Sequence, residues 1–236
     1  MTGLFRHASL AITLAISVSL VAIARADTVS VDLSSLVNSD LTTYTGGGSY
    51  PQHGGSITVG DIPFTLATIG PDSDTAVLQT STETGAGQIY ALNVDVFGAS
   101  TAYTLINSAF GECGTTVGQL VFVGSSTTYT YTLTEGVNVR DHYDGGFCNT
   151  VTDVGGTANF GSDRLDMQSI VLPSAFDDQT LETIYFQTFG QGYSGSPFLA
   201  AMTLDPAPVP EPVTWPLGLA ALLIVPLAHR RWRAQQ

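Results

Sequence analysis

Ile89-Tyr90-Ala91-Leu92-Asn93-Val94-Asp95-Val96-Phe97, and further on Thr128-Tyr129-Thr130-Tyr131-Thr132-Leu133, carry a period-two pattern. That is the period of a strand, whose successive side chains point to opposite faces; it sets Tyr129, Tyr131 and Leu133 on one face and the threonines on the other. Working outward, short runs bounded by Gly, Pro, Asn and Asp recur at 28–33, 56–59, 64–69, 76–80, 103–107, 118–123, 138–140, 164–172, 183–188 and 198–204. No helical pattern interrupts them. The chain between them is rich in Thr, Ser, Gly, Val and Tyr, and β-branched and aromatic residues suit a pleated, half-buried surface. The expected fold is all-β, an antiparallel β-sandwich.

The sequence has 236 residues and a formal net charge of −13. Both ends read as address labels, which leaves residues 27–205 to bury a core, one domain's worth of chain. Within that stretch only Arg140 and Arg164 are basic, against nineteen acidic side chains, and there is no lysine. Such a surface repels phosphate backbones and anionic headgroups, so nucleic acid is excluded as a partner. Solubility is the plain reading of the acidity. Two cysteines, Cys113 and Cys148, are present without a CxxC or Cys/His spacing, and in an exported chain an even count reads as a disulfide. Closing that loop removes denatured-state entropy worth about 4 kcal/mol in the chain-entropy model.

At the start, Arg6 and His7 precede an apolar run from Ala8 to Ala24, then Ala24-Arg25-Ala26 and the polar Asp27-Thr28. A basic start, an apolar middle and small residues at −3 and −1 predict a secretory signal peptide over 1–26, cleaved after Ala26; the alternative is a retained N-terminal membrane helix. At the other end a Pro-rich linker over 206–212 is followed by an apolar run over 213–229 and a basic tail over 230–236 with Arg230, Arg231 and Arg233. The apolar run is somewhat short for a bilayer, which takes about 20 residues, yet it can stop transfer as a transmembrane helix. The arginines then stay cytoplasmic. The alternative is an ordinary single-pass anchor.

The ordered set of Val209-Pro210-Glu211-Pro212, an apolar helix and a terminal Arg cluster resembles the PEP-CTERM sorting signal. The resemblance covers about the last thirty residues. It implies an exosortase as partner, an inner-membrane stage before processing, and release or transfer to the cell surface, in the setting of exopolysaccharide production by Gram-negative bacteria.

A second resemblance covers most of the domain. Val31-Asp32-Leu33, Tyr50-Pro51, Gly60-Asp61-Ile62-Pro63-Phe64, Tyr103-Thr104-Leu105 with Gly111, Gly118-Gln119-Leu120-Val121-Phe122, the strand and turn to Gly136, Val139-Arg140-Asp141, Leu181 to Phe186 and Phe198 to Thr203 are similar to the galactose-binding-like jelly roll. Each motif is short. The resemblance implies sugar binding by loops at one end of the sandwich and, in many members, a structural calcium.

The densest polar and aromatic segment is Asn138 to Asn149, with Arg140, Asp141, His142, Tyr143 and Asp144. A guanidinium with carboxylates can hydrogen-bond vicinal sugar hydroxyls, and an aromatic face can stack on a pyranose ring, so this is the candidate binding loop. The competing reading pairs Arg140 with Asp141 or Asp144 to pin a Gly-rich turn that Cys148 staples. Tyr50, in the Gly-rich loop Gly46 to Gly55 that also carries His53, is the candidate from a second loop; the alternative there is a solvated crossover. Asp72-Ser73-Asp74 and Asp177-Asp178 place oxygens close together, as calcium requires, though neither matches an EF-hand and paired aspartates are common in turns.

Enzyme motifs are largely absent. Gly192-Tyr193-Ser194-Gly195-Ser196 approaches a nucleophile elbow but has Ser where the second Gly belongs. No HExxH, P-loop or dinucleotide fingerprint occurs. No catalytic residue and no cofactor are expected. The sequence thus predicts an exported, non-catalytic surface or matrix protein whose β-sandwich associates with exopolysaccharide. The alternatives are a structural or adhesive domain that binds no glycan, and a polysaccharide-modifying enzyme. Exposed aromatics at one end of the sandwich favour glycan binding; buried carboxylates clustered in a cleft favour the enzyme.

Overall fold

The computed structural model describes residues 27–44, 49–71, 73–79 and 86–207. The signal peptide, the Pro-Glu-Pro motif, the apolar run over 213–229 and the basic tail lie outside these residues. Among the described residues no helix is long and apolar enough to cross a membrane.

The strands are β1 (Val29–Ser30), β2 (Ser39–Asp40), β3 (Gly55–Val59), β4 (Ile62–Leu66), β5 (Ala76–Gln79), β6 (Ile89–Phe97), β7 (Ala99–Ala109), β8 (Thr116–Gly124), β9 (Thr128–Thr134), β10 (Gly156–Phe160), β11 (Asp163–Val171), β12 (Thr180–Thr188) and β13 (Ser196–Pro206), with one helical turn, α1 (Leu41–Tyr44). A large antiparallel sheet runs β10-β11-β7-β13-β5-β2, with β1 also paired to β13. A second sheet runs β6-β12-β8-β9, and β3 pairs with β4 as a separate hairpin. The all-β antiparallel expectation holds. β6 and β9 have the expected bounds, and Tyr129, Tyr131 and Leu133 do share the inward face.

β7 and β13 are buried on both faces, because each face of the large sheet is covered. On one side Ala102, Ile106, Leu199, Met202 and Leu204 pack against Leu120, Phe122, Ile184 and Phe186 of the four-stranded sheet, the sandwich core. On the other, Leu105, Phe198 and Ala201 meet Ile62, Phe64 and Leu66 of the hairpin, with Leu41 and Tyr50. Fully burying a side chain such as Phe122 contributes about 2–3 kcal/mol. A bulge at Ala200 lets β13 stay paired to β7 while keeping Leu199 and Ala201 on opposite faces. Pro206, expected in the linker, ends β13 opposite Ala99, a strand end where its missing N–H is tolerated.

One departure from the expected strands builds the site. β7 and β11 pair only from Thr101–Leu105 against Met167–Val171, then part. Residues 140–144 fill the wedge. His142 N donates to Ser108 O (2.9 Å) and Ser108 N to Arg140 O (3.0 Å) on the β7 side; Arg164 N donates to His142 O (2.9 Å) and Asp144 N to Ser162 O (2.9 Å) on the β11 side. The strand expected at 138–140 is therefore a turn that leads into this inserted segment, with isolated bridges at Val139, Asp141 and Tyr143.

Candidate functional site

Both basic side chains of the domain serve the inserted segment. Arg140 reaches neither Asp141 nor Asp144 but makes a two-pronged pair with Asp166 on β11, Nε to Oδ2 at 2.7 Å and Nη2 to Oδ1 at 2.9 Å. The carboxylate of Asp166 also accepts from Thr157 Oγ1 (2.7 Å) and Asn107 Nδ2 (2.9 Å), so all its lone pairs are directed. The hydrogen-bonded Asp166 raises the pKa of Arg140. Arg164 donates from Nε and Nη2 to Asp141 O (3.1 and 2.9 Å) and from Nη2 to Tyr143 O (3.3 Å) and Asn149 Oδ1. Asp144 stays exposed, 4.0 Å from Arg164 Nη1. The far end of the loop is held by the Cys113–Cys148 disulfide, with Cα atoms 5.2 Å apart, which joins it to the β7–β8 turn as the cysteine count predicts. Gly136 lies against this bridge in the left-handed region (φ 80°); a Cβ there would come within 3.1 Å of Cys148 Sγ.

A cavity of about 260 Å³ opens beside the segment, lined by Tyr44, Phe110, Asp141, His142, Tyr143, Phe147 and Asp163 together with Ala109. Three of the expected residues, Asp141, His142 and Tyr143, thus share one site. Tyr50 joins them from below: it is buried, and its hydroxyl lies 2.7 Å from His142 Nδ1, so it anchors the ring rather than covering a ligand. Arg140 and Asp144 do not line the cavity. His53 is elsewhere, its Nδ1 3.1 Å from Pro71 O.

Burial dominates the electrostatics of the lining. It raises the Asp141 carboxyl to about 6, partly offset by hydrogen bonds from the Tyr143 and Phe110 backbone; Tyr143 N donates to Oδ1 at 2.7 Å. It lowers the pKa of His142, with the Asp163 charge pulling the other way, and so favours the neutral ring. It raises both Tyr44 and Tyr50 well above the ordinary phenol value, keeping them protonated donors. Asp163 accepts from Ser49 N through Oδ2 (3.3 Å). Its Oδ1 makes no hydrogen bond among the described residues. His142 Nδ1 is 3.4 Å from that oxygen, an ion pair only if the ring is charged, and the nitrogen's closer partner is Tyr50.

The cavity mouth is aromatic. Phe110 sits at φ 66°, a strained left-handed position for a non-glycine residue, at the end of β7. The kink brings its ring edge-to-face with Phe147 (5.0 Å between centroids) and Tyr193 (4.9 Å). Tyr143, Phe147 and Tyr193 are 47%, 47% and 69% exposed. Phe110, Phe147 and Tyr193 come from three loops far apart in sequence. Tyr193 belongs to the elbow-like pentapeptide, which forms a short 3-10 turn leading into β13, with no helix to follow.

Beneath the site Glu135 is fully buried, and neither carboxyl oxygen has a hydrogen-bond partner among the described residues. A Cβ on Gly111 would lie 2.7 Å from its carboxyl carbon and one on Gly195 2.8 Å from Oε1, so both glycines are needed for the group to fit. Burial raises it to about 8; Ser108 pulls the other way, and the Asp141 charge raises it further. The Ser108 hydroxyl also donates to Phe110 O (2.8 Å). Among the described residues no cluster of three or more His, Cys, Asp or Glu is placed to hold a metal ion. Asp72 lies outside the described residues, Asp74 N is capped by Asp40 Oδ2 (2.8 Å), and Asp177 follows a 3-10 turn.

The fold and site together define an antiparallel β-sandwich with an aromatic-rimmed, acid-lined cavity on one loop cluster. No protein-family model and no curated protein matches the sequence. Among solved structures, one similar chain is the carbohydrate-binding module CBM27-1 of Caldicellulosiruptor saccharolyticus in complex with mannohexaose, 9% identical, covering 78% of this chain and 100% of the other at a TM-score of 0.35. A likeness at that level carries no conclusion about ligand.

Proposed function

We propose that this is an exported surface or matrix protein whose β-sandwich binds exopolysaccharide without catalysis, at the cavity beside residues 140–149. The observation that carries the reading is that exposed Tyr143 and Phe147 line a cavity holding Asp141, His142 and Asp163, with exposed Tyr193 packed against the lining ring of Phe110. Aromatic faces stack on the C–H faces of sugar rings while carboxylate and imidazole groups take their hydroxyls; an apolar wall with a few directed polar groups is the general form of a ligand site. The cavity lies below the usual range for drug-sized ligands, about 300–1,000 Å³, which suits one sugar unit inside and its neighbours across the rings. Arg140 and Asp144, candidates for direct contact in the sequence, serve in this reading as a brace and as a rim charge.

The chain changes sheet at most of its connections, which supports a jelly roll of the galactose-binding-like kind. Export rests on the signal-peptide pattern over 1–26, and exosortase sorting through Val209-Pro210-Glu211-Pro212 with a membrane stage rests on the sequence resemblance. A glycan array probed with wild-type protein and Tyr193→Ala tests the binding site. The variant loses about tenfold in affinity, or about 1.4 kcal/mol, at unchanged melting temperature. Unchanged binding removes the rings from the account.

The two cavity carboxylates favour one second reading, a polysaccharide-modifying enzyme. Glycosidases use a pair of carboxyl groups, one protonated, and Asp141 has a raised pKa. Release of new reducing ends by the wild type and not by Asp141→Asn would establish that reading.

A further inference from the structure

The ligand class follows from which charges at the site are already spent. The domain has two cations, and the structure commits both. The Arg140 guanidinium is matched by Asp166. Arg164 directs Nε and Nη2 into loop carbonyls and Asn149. Neither arginine lines the cavity, whereas Asp141 and Asp163 both do. The Arg164 charge acts on Asp141, and exposed Asp144 lies 4.0 Å from Arg164 Nη1 and adds a further negative charge nearby. His142 is held toward its neutral form by burial. The cavity is therefore left with an excess of negative charge and no cation to receive an acidic sugar.

One oxygen marks where the balance is missing. Asp163 is 7% exposed and lines the cavity; its Oδ1, shielded from solvent and 3.4 Å from His142 Nδ1, makes no hydrogen bond among the described residues. Leaving a buried carboxylate oxygen without a donor is costly, and charged donors are the strongest partners for it. A neutral hydroxyl would satisfy the geometry but not the charge. An ammonium supplies both, and the aromatic rim around Phe110 offers ring faces that attract a cation as well as sugar C–H groups. The acidic surface of the whole domain draws cations and repels uronates.

Resting on the glycan-binding reading, we propose that the cavity selects a saccharide bearing a free amine, as in a partly de-N-acetylated hexosamine polymer, and holds the ammonium beside the Asp163 and Asp141 carboxyl groups that line it.

The test uses the full-length chain in mild detergent and short oligomers of glucosamine, N-acetylglucosamine, mannose and glucuronate, titrated by calorimetry at low and moderate salt. The glucosamine oligomer binds at least tenfold more tightly than its N-acetylated counterpart, glucuronate does not bind, and the preference shrinks as salt rises. Asp163→Asn keeps an acceptor for Ser49 N and abolishes the preference while retaining mannose binding. Glu182→Gln, which removes an exposed charge on β12, leaves the preference intact. Equal affinity for the amine and its acetylated form overturns the proposal and leaves glycan binding standing. Equal loss in Glu182→Gln and Asp163→Asn overturns it in favour of general charge attraction. Failure of every oligomer to bind overturns both. Should Asp163→Asn fail to fold, the wild-type comparison of amine with N-acetyl decides alone.

Discussion

Replacing Glu135 with Gln removes one ionisable proton and almost nothing else, and it makes the protein more stable as the pH rises. The folded carboxyl keeps its proton to about pH 8, whereas the unfolded chain releases it near 4.5. Between those values the folded state binds more protons than the unfolded one, so wild-type stability falls with rising pH, by about 1.4 kcal/mol per unit. The loss is absent below 4.5 and complete above 8. At pH 7 it reaches about 3 kcal/mol. Gln cannot ionise and meets the same cage of Gly111 and Gly195, so it resembles the protonated acid. Thermal melts by circular dichroism, run from pH 5 to pH 8, show the variant's advantage growing with pH and reaching roughly 6–12 °C at pH 7 for a domain of this size. Asp141, raised to about 6, adds a slope of the same sign in both proteins and largely drops out of the difference. Parallel pH profiles for the two proteins would refute the reasoning, because they would mean that Glu135 is already ionised in the fold.

Arg140→Ala leaves Asp166 as a buried charge without its guanidinium and lowers stability by about 3–5 kcal/mol, measured by denaturant unfolding; Arg140→Lys recovers part of that, since an ammonium cannot make both hydrogen bonds. Replacing Cys113 and Cys148 together with Ser costs about 4 kcal/mol at most and increases amide exchange across residues 140–149 ahead of the rest of the domain. Gly111→Ala drives a methyl group into the Glu135 carboxyl and requires a positive φ of an L-residue, so its melting temperature falls, and falls less when combined with Glu135→Ala.

The sequence pattern revealed the strands that are half-exposed. β6 and β9 each show one face to solvent, so their alternation is complete and their bounds were legible. β7 and β13 are covered on both faces, so Ala99 to Ala102 and the ends of β13 carry no alternation; only their middles were readable. β10, a Gly-Thr-Ala-Asn-Phe edge strand with no fully buried residue, offers no hydrophobic signal at all. At the site, the polar run 140–144 and the two cysteines could be read because they are contiguous or few. The partner of Arg140 could not. Its neighbours in sequence are Asp141 and Asp144, yet the carboxylate that meets it lies 26 residues on, across the wedge between β7 and β11. Phe110, Phe147 and Tyr193 were equally hidden, because three single aromatics in three loops form a cluster only once the sheets are in place.

The aromatic-rimmed cavity is the proposed glycan site. Retention of the full-length protein on the producing organism's own polysaccharide, compared with a Phe147→Ala/Tyr193→Ala variant of equal melting temperature, measures this directly. With a glycan site there, the wild type is retained and the variant passes through. Equal retention of the two, or passage of both, contradicts it.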